Sequence, residues 1–173
     1  PVESEFSTTF NQANLSFVNN ANTSLSFKNW GSLTSVSYSN FGDISIGNNR
    51  KHGFSDWGLT PYYSLNNRNQ YSETPTSSSH PNIQKNTAYD QFDIFQKFVV
   101  GLPREMVLNF NLQYSESSDI DRYDKLVEER DGILRFSEWY YGPQKRFFLS
   151  PQLKFFMGKN WLKKGTLTAA YQK

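Results

Sequence analysis

The chain has 173 residues, of which 36% are hydrophobic, 17% aromatic and 20% charged, with a formal net charge of +2 and no cysteine. Its mean hydropathy is -0.69, so the many rings must sit among polar neighbours and not in a uniformly apolar core. Lysines and arginines are spread out and matched by carboxylates, which removes nucleic acid as an expected partner, because phosphate binding needs a concentrated basic face. Zero cysteine excludes a disulfide framework and any thiolate metal site. The most apolar run, Phe98-Val99-Val100-Gly101-Leu102, is far short of the roughly 18 residues of a membrane helix. The chain opens on Pro1-Val2-Glu3-Ser4 and closes on Ala169-Ala170-Tyr171-Gln172-Lys173, and both ends read as cuts through something longer.

In chain order, alternation of apolar and polar residues marks the extended segments. Ala13 to Val18 is a weak example and Leu25 with Phe27 a short one. From Ser32 to Ser39, Thr34, Val36 and Tyr38 oppose the serines. Phe92, Ile94, Phe98 and Val100 oppose Gln91, Asp93 and Lys97, with Phe95 and Gln96 breaking the rule. The clearest stretch is Glu105 to Ser115, where Met106, Leu108, Phe110, Leu112 and Tyr114 fall on one side and Asn109, Asn111, Gln113 and Ser115 on the other. Phe147, Leu149, Leu153, Phe155 and Met157 oppose Ser150, Gln152 and Lys154. Leu167, Ala169 and Tyr171 oppose Thr166, Thr168 and Gln172. The pattern predicts about seven strands.

Connections alternate between short and long. Asn29-Trp30-Gly31, Gly101-Leu102-Pro103-Arg104 and the segment from Gly158 to Lys164 read as tight links. Phe41 to Thr87 and Ser118 to Gln144 read as long polar loops, beyond the usual length for a compact domain. Counting strands up and down puts the short links at one end and the long loops at the other. This layout fits a transmembrane barrel, apolar outward and polar inward, and it also fits a β-sandwich, apolar inward. Small amide-rich polar faces, Trp30 and Trp161 at short turns, and strands of about 10 to 12 residues favour the barrel.

Three blocks carry a family resemblance. They are Asn40-Phe41-Gly42-Asp43 with His52-Gly53-Phe54-Ser55-Asp56-Trp57-Gly58; Pro81-Asn82-Ile83-Gln84-Lys85-Asn86-Thr87 leading into Tyr89 and Asp93; and Ser117-Ser118-Asp119-Ile120 with Arg122 to Leu126, Leu134-Arg135-Phe136 and Glu138-Trp139-Tyr140-Tyr141-Gly142-Pro143. Together they resemble the loop entries and strands of TonB-dependent outer-membrane receptors. The resemblance implies that residues 1–173 are part of an antiparallel transmembrane β-barrel of about 22 strands, lacking the plug domain and the remaining strands. It also implies import of a scarce, bulky nutrient: siderophore, haem, vitamin or glycan. The implied location is the outer membrane of a Gram-negative bacterium. Implied partners are outer-membrane lipid, the TonB complex through the missing plug, the extracellular nutrient and a surface lipoprotein. Met106, Leu108, Phe110, Leu112 and Tyr114 would then face lipid. Asp121 stands where the pattern has proline, and Pro151 interrupts a strand and predicts a bulge.

Alternatives are a secreted β-sheet module that captures glycans through Trp and Tyr side chains, and a passive porin-like barrel. No enzymatic constellation is present: Gly-x-Ser-x-Gly is absent, and nothing places Glu128 and Glu129 in a cleft. His52 and His80 are read as solvated and not as haem ligands, and Asp119, Asp121 and Asp124 lack the central glycine of a calcium loop. No cofactor or metal is therefore expected. The candidate ligand contacts are the loop aromatics and arginines Trp57, Tyr62, Tyr63, Arg135, Trp139, Tyr140, Tyr141 and Arg146, whose rings and guanidinium groups supply stacking and hydrogen bonding at low entropic cost.

Overall fold

The computed structural model describes residues 1–50, 53–65, 71–159 and 162–173. Three long strands come first: β1 (Val2–Asn11), β2 (Ser16–Ser26) and β3 (Trp30–Phe41). The first long connection holds two short ladders, β4 (Ile44–Ser45) with β7 (Ile83–Gln84), and β5 (Tyr62–Tyr63) with β6 (Thr76–Ser77). Next come β8 (Tyr89–Leu102) and β9 (Met106–Ser117). The second connection pairs β10 (Ile120–Asp121) with β13 (Tyr140–Tyr141) around a helical turn α1 (Tyr123–Leu126) and a small hairpin of β11 (Glu129–Arg130) and β12 (Ile133–Leu134). The chain ends in β14 (Lys145–Lys159), β15 (Leu162–Thr168) and β16 (Tyr171–Gln172).

The long strands form one antiparallel sheet in the order β1-β2-β3-β8-β9-β14-β15, with β16 also on β14. In-register partners project to the same face. Val36, Ile94, Tyr114 and Phe147 are successive partners on one face. Ser37, Asp93, Ser115 and Arg146 are successive partners on the other. The sheet is thus apolar on one side and polar on the other, as the alternation predicts. Met106, Leu108, Phe110, Leu112 and Tyr114 share the apolar face and are half-buried.

Polar residues on the apolar face find partners across the strands. Ser4 Oγ lies 3.1 Å from Thr23 Oγ1, and Thr8 donates to Asn19 Oδ1 at 2.9 Å. Gln96 accepts from Thr34 at 2.6 Å and donates to Ser32 at 2.8 Å. The Gln96 bonds are part-buried and satisfy groups that would otherwise carry a desolvation cost, which explains why Gln96 breaks the alternation.

Pro151 acts differently from the sequence reading. Its carbonyl accepts from Ala169 at 3.0 Å, so its missing N–H lies on the same side, toward the edge strand. The edge is interrupted there: Gln152 pairs with Thr168 and Leu149 with Tyr171, leaving Ala169 and Ala170 between β15 and β16. The register is unchanged across the gap, and the bulge falls instead between Phe156 and Lys159.

The barrel expectation is corrected here. The fold is all-β, but the sheet is open: β1 and β15 lie at opposite edges and do not pair. Edge amides and carbonyls cannot be left unpaired in hydrocarbon, so the open sheet gives no support to a transmembrane barrel of about 22 strands, to a porin, to outer-membrane lipid as partner or to an outer-membrane location. The lipid-facing assignment of Met106, Leu108, Phe110, Leu112 and Tyr114 falls with the barrel. Among the described residues, no helix is long and apolar enough to cross a membrane. Trp161 lies outside the described residues, and Trp30 stacks on Phe27 at 4.5 Å.

Candidate functional site

The two long connections meet at one end of the sheet and form a cap. The first is rooted where Gly42 passes the β1–β2 turn so closely that a Cβ there would lie 2.6 Å from the Asn14 carbonyl oxygen. Ser45 N–H donates to Ala13 O at 2.8 Å. Asp43 accepts from the Thr87 amide at 3.1 Å and pairs with Lys85 at 3.2 Å, closing the base of the loop. Arg50 donates to the Trp57 carbonyl at 3.0 Å and to Asn82 Oδ1 at 2.6 Å.

The second connection is organised around Leu126, which at 2% exposure is the fully buried hydrophobic side chain among the described residues. Its hairpin is tied by charge: Glu128 takes Lys125 at 2.8 Å and also Arg135. These cations, Lys125 first, hold the Glu128 carboxyl below its ordinary value. Arg122 holds Asp124 at 2.7 Å and donates to the Tyr141 hydroxyl at 2.6 Å.

Among the described residues, two bonds join the loops to each other. Leu134 N–H donates to Glu73 O at 2.8 Å, and the Tyr71 hydroxyl donates to Glu138 Oε1 at 2.6 Å. Under this bridge lies a cleft of about 200 Å³ lined by Asn86 from the first loop and by Asp119, Asp121, Leu126, Ser137, Glu138 and Tyr140 from the second. Burial, reinforced by Asp119 and Glu138, raises the Asp121 carboxyl above its ordinary value. Asn86 Nδ2 donates to Ser64 O at 3.1 Å, and the cleft brings together that amide, a phenol, a serine and carboxyl groups. No group of three or more potential ligands among the described residues is placed to hold a metal ion.

The residues singled out in the sequence are scattered over the cap and the sheet. Tyr140 lines the cleft, and Trp57, Tyr62 and Tyr141 are exposed at 67%, 49% and 52%. Tyr63 is half-buried in its ladder opposite Thr76. Trp139 packs edge-on against Phe136 at 4.5 Å with Lys125 over its face, and Arg135 lies over Phe136 at 5.0 Å. Arg146 belongs to β14, not to the loop, where it donates to Gln172 at 3.3 Å. His52 lies outside the described residues, and exposed His80 is paired with the adjacent Ser79 hydroxyl at 2.9 Å. Sequence reasoning missed Asn86, Ser137 and Glu138, which converge from separate loops with no shared motif.

No family model, curated protein or solved structure matches the chain. The resemblance to TonB-dependent receptors is therefore corrected. With an open sheet and no family match, nutrient import, the TonB complex and a surface lipoprotein have no support.

Proposed function

We propose that the chain is a non-catalytic β-sheet binding module whose loop cap takes a glycan. The observation that carries this reading is the cleft between the bridged loops. Asn86, Asp119, Asp121, Ser137, Glu138 and Tyr140 converge on it, and such a set of amide, carboxyl and hydroxyl groups answers the alternating donors and acceptors of a polyhydroxylated ligand. The cleft is small, with room for roughly six waters at about 30 Å³ each, so it suits one sugar unit. Trp57 and Tyr62, exposed on the first loop that also supplies Asn86, are the rings that further units of a longer glycan would use. A glycan panel screened against the intact chain, followed by calorimetry on the best binder, tests the reading. Binding should be lost in Asn86→Ala and Tyr140→Ala and reduced in Trp57→Ala. A panel without a binder, or binding indifferent to all three substitutions, defeats it.

A further inference from the structure

The opposite end of the sheet carries a second, larger concavity that the loop cap does not use. The turn between β2 and β3 and the turn between β8 and β9 stand side by side, joined by the Gly101 amide donating to Asn29 O at 2.7 Å. On the polar face, Gly31 pairs with Val99 and Gly101 with Val107. Two positions without side chains thus alternate with two valines and leave a cavity of about 700 Å³, with Lys28 and Pro103 among its lining. Neither glycine has the positive φ that would demand glycine for conformational reasons. At Gly101 a Cβ would stand 3.5 Å from Asn29 O, an ordinary contact, and at Gly31 one would stand 3.3 Å from Leu25 O. The backbone admits a side chain at Gly101, so its absence there opens space.

The charge of the lining is one-sided. Among the described residues, Lys28 is the ionisable one in the lining, and the ion pairs there leave Lys28 unused. A cation at the rim of a valine-floored cavity of ligand size calls for an anion at one end of an apolar body. We propose that this turn-end cavity binds a small carboxylate with a flat or branched apolar body, Val99 and Val107 forming its floor and Lys28 taking the carboxylate.

Titration of the intact chain with sodium 2-naphthoate, read through the amide resonances of Gly31 and Gly101, tests it. Naphthoate should shift both resonances saturably, and the uncharged 2-naphthalenemethanol should bind about tenfold more weakly, as expected for loss of one charge-assisted contact. Lys28→Gln should lose the same factor for naphthoate and nothing for the alcohol. Gly101→Leu, which fills the cavity from within, should abolish both responses, and Val107→Phe fills it from the neighbouring strand should Gly101→Leu fold poorly. The proposal is overturned by naphthoate binding that survives the filling variants, by equal affinity for acid and alcohol, by shifts centred on Phe98 and Phe110 of the apolar face, or by no saturable shift.

Discussion

The hydroxyl of Tyr71 donates to the carboxylate of Glu138 across 2.6 Å, linking two loops that are 67 residues apart in sequence at this point. This bond and the Leu134 to Glu73 backbone bond tie together the two loops that line the cleft. Acceptance by Glu138 raises the Tyr71 hydroxyl above the ordinary tyrosine value. A group whose folded value is raised contributes fully below its unfolded value and loses that contribution as pH climbs through the folded one. The protection factor of the Leu134 amide, its exchange rate taken relative to an unstructured peptide at the same pH, should therefore hold up to a pH of about 10 and fall above it. Tyr71→Phe should lower it at neutral pH, and an unchanged protection factor in that variant would separate the bond from loop closure.

At acid pH a different set of pairs gives way. Lys145, at 2.7 Å, and then Tyr114 hold the Glu116 carboxyl below its ordinary value, as Arg122 does for Asp124. Depressed carboxyl groups contribute stability above their unfolded values and lose it as pH falls through the folded ones. The loop ends of β9 and β14 should loosen below pH of about 4.5, and Glu116→Gln should flatten that part of the acid melting curve. Asp121 has the opposite sign, since its raised carboxyl costs stability at neutral pH. Asp121→Asn should raise the melting temperature near pH 7 and leave it unchanged near pH 3.

Leu126, buried on α1, anchors the second loop and lies outside the sheet. Leu126→Ala should cost the cap about 2 to 5 kcal/mol, the usual penalty for emptying a buried leucine site. Circular dichroism should retain the sheet signal while limited proteolysis cuts between residues 118 and 144. Simultaneous loss of both signals would show that cap and sheet form one cooperative unit.

The β8–β9 hairpin turns on two residues that are poor at the task. Arg104 and Glu105 both have positive φ, 62° and 59°, a conformation that disfavours side chains with a Cβ. Replacing the pair by Asn-Gly, the residues that most readily take positive φ, should stabilise the sheet by about 1 kcal/mol. Equilibrium urea unfolding with an unchanged slope and a higher midpoint is the expected result.

The long strands were legible where one face is uniformly apolar. Expected over Glu105 to Ser115, β9 spans Met106–Ser117, and every apolar residue named for it lies on one face. β1 carries no readable alternation, and β2 reads as two fragments, because Ser4, Thr8, Asn19 and Thr23 stand on the apolar face. They do so by bonding to each other across the strands, and a pattern counted along one strand cannot register a partner on the next. Sheet closure was likewise beyond the sequence, because alternation is identical in open and closed sheets. In the cap, Tyr140 is legible as a loop aromatic, but Asp119 and Asp121 read in sequence as one group with Asp124, which Arg122 draws away. Asn86 and Glu138 carry no local signal, since their meeting is a property of two loops folding together.

The meander has a consequence for how such chains can diversify. β1 with β2, β2 with β3, β8 with β9 and β14 with β15 pair across short links, while β3 with β8 and β9 with β14 close over residues 42–88 and 118–144. Closure cost rises only with the logarithm of loop length, about 0.6 kcal/mol for each doubling. A lineage can therefore exchange, lengthen or trim these two segments while strand register is inherited intact, so that new binding preferences arise without reinventing the scaffold.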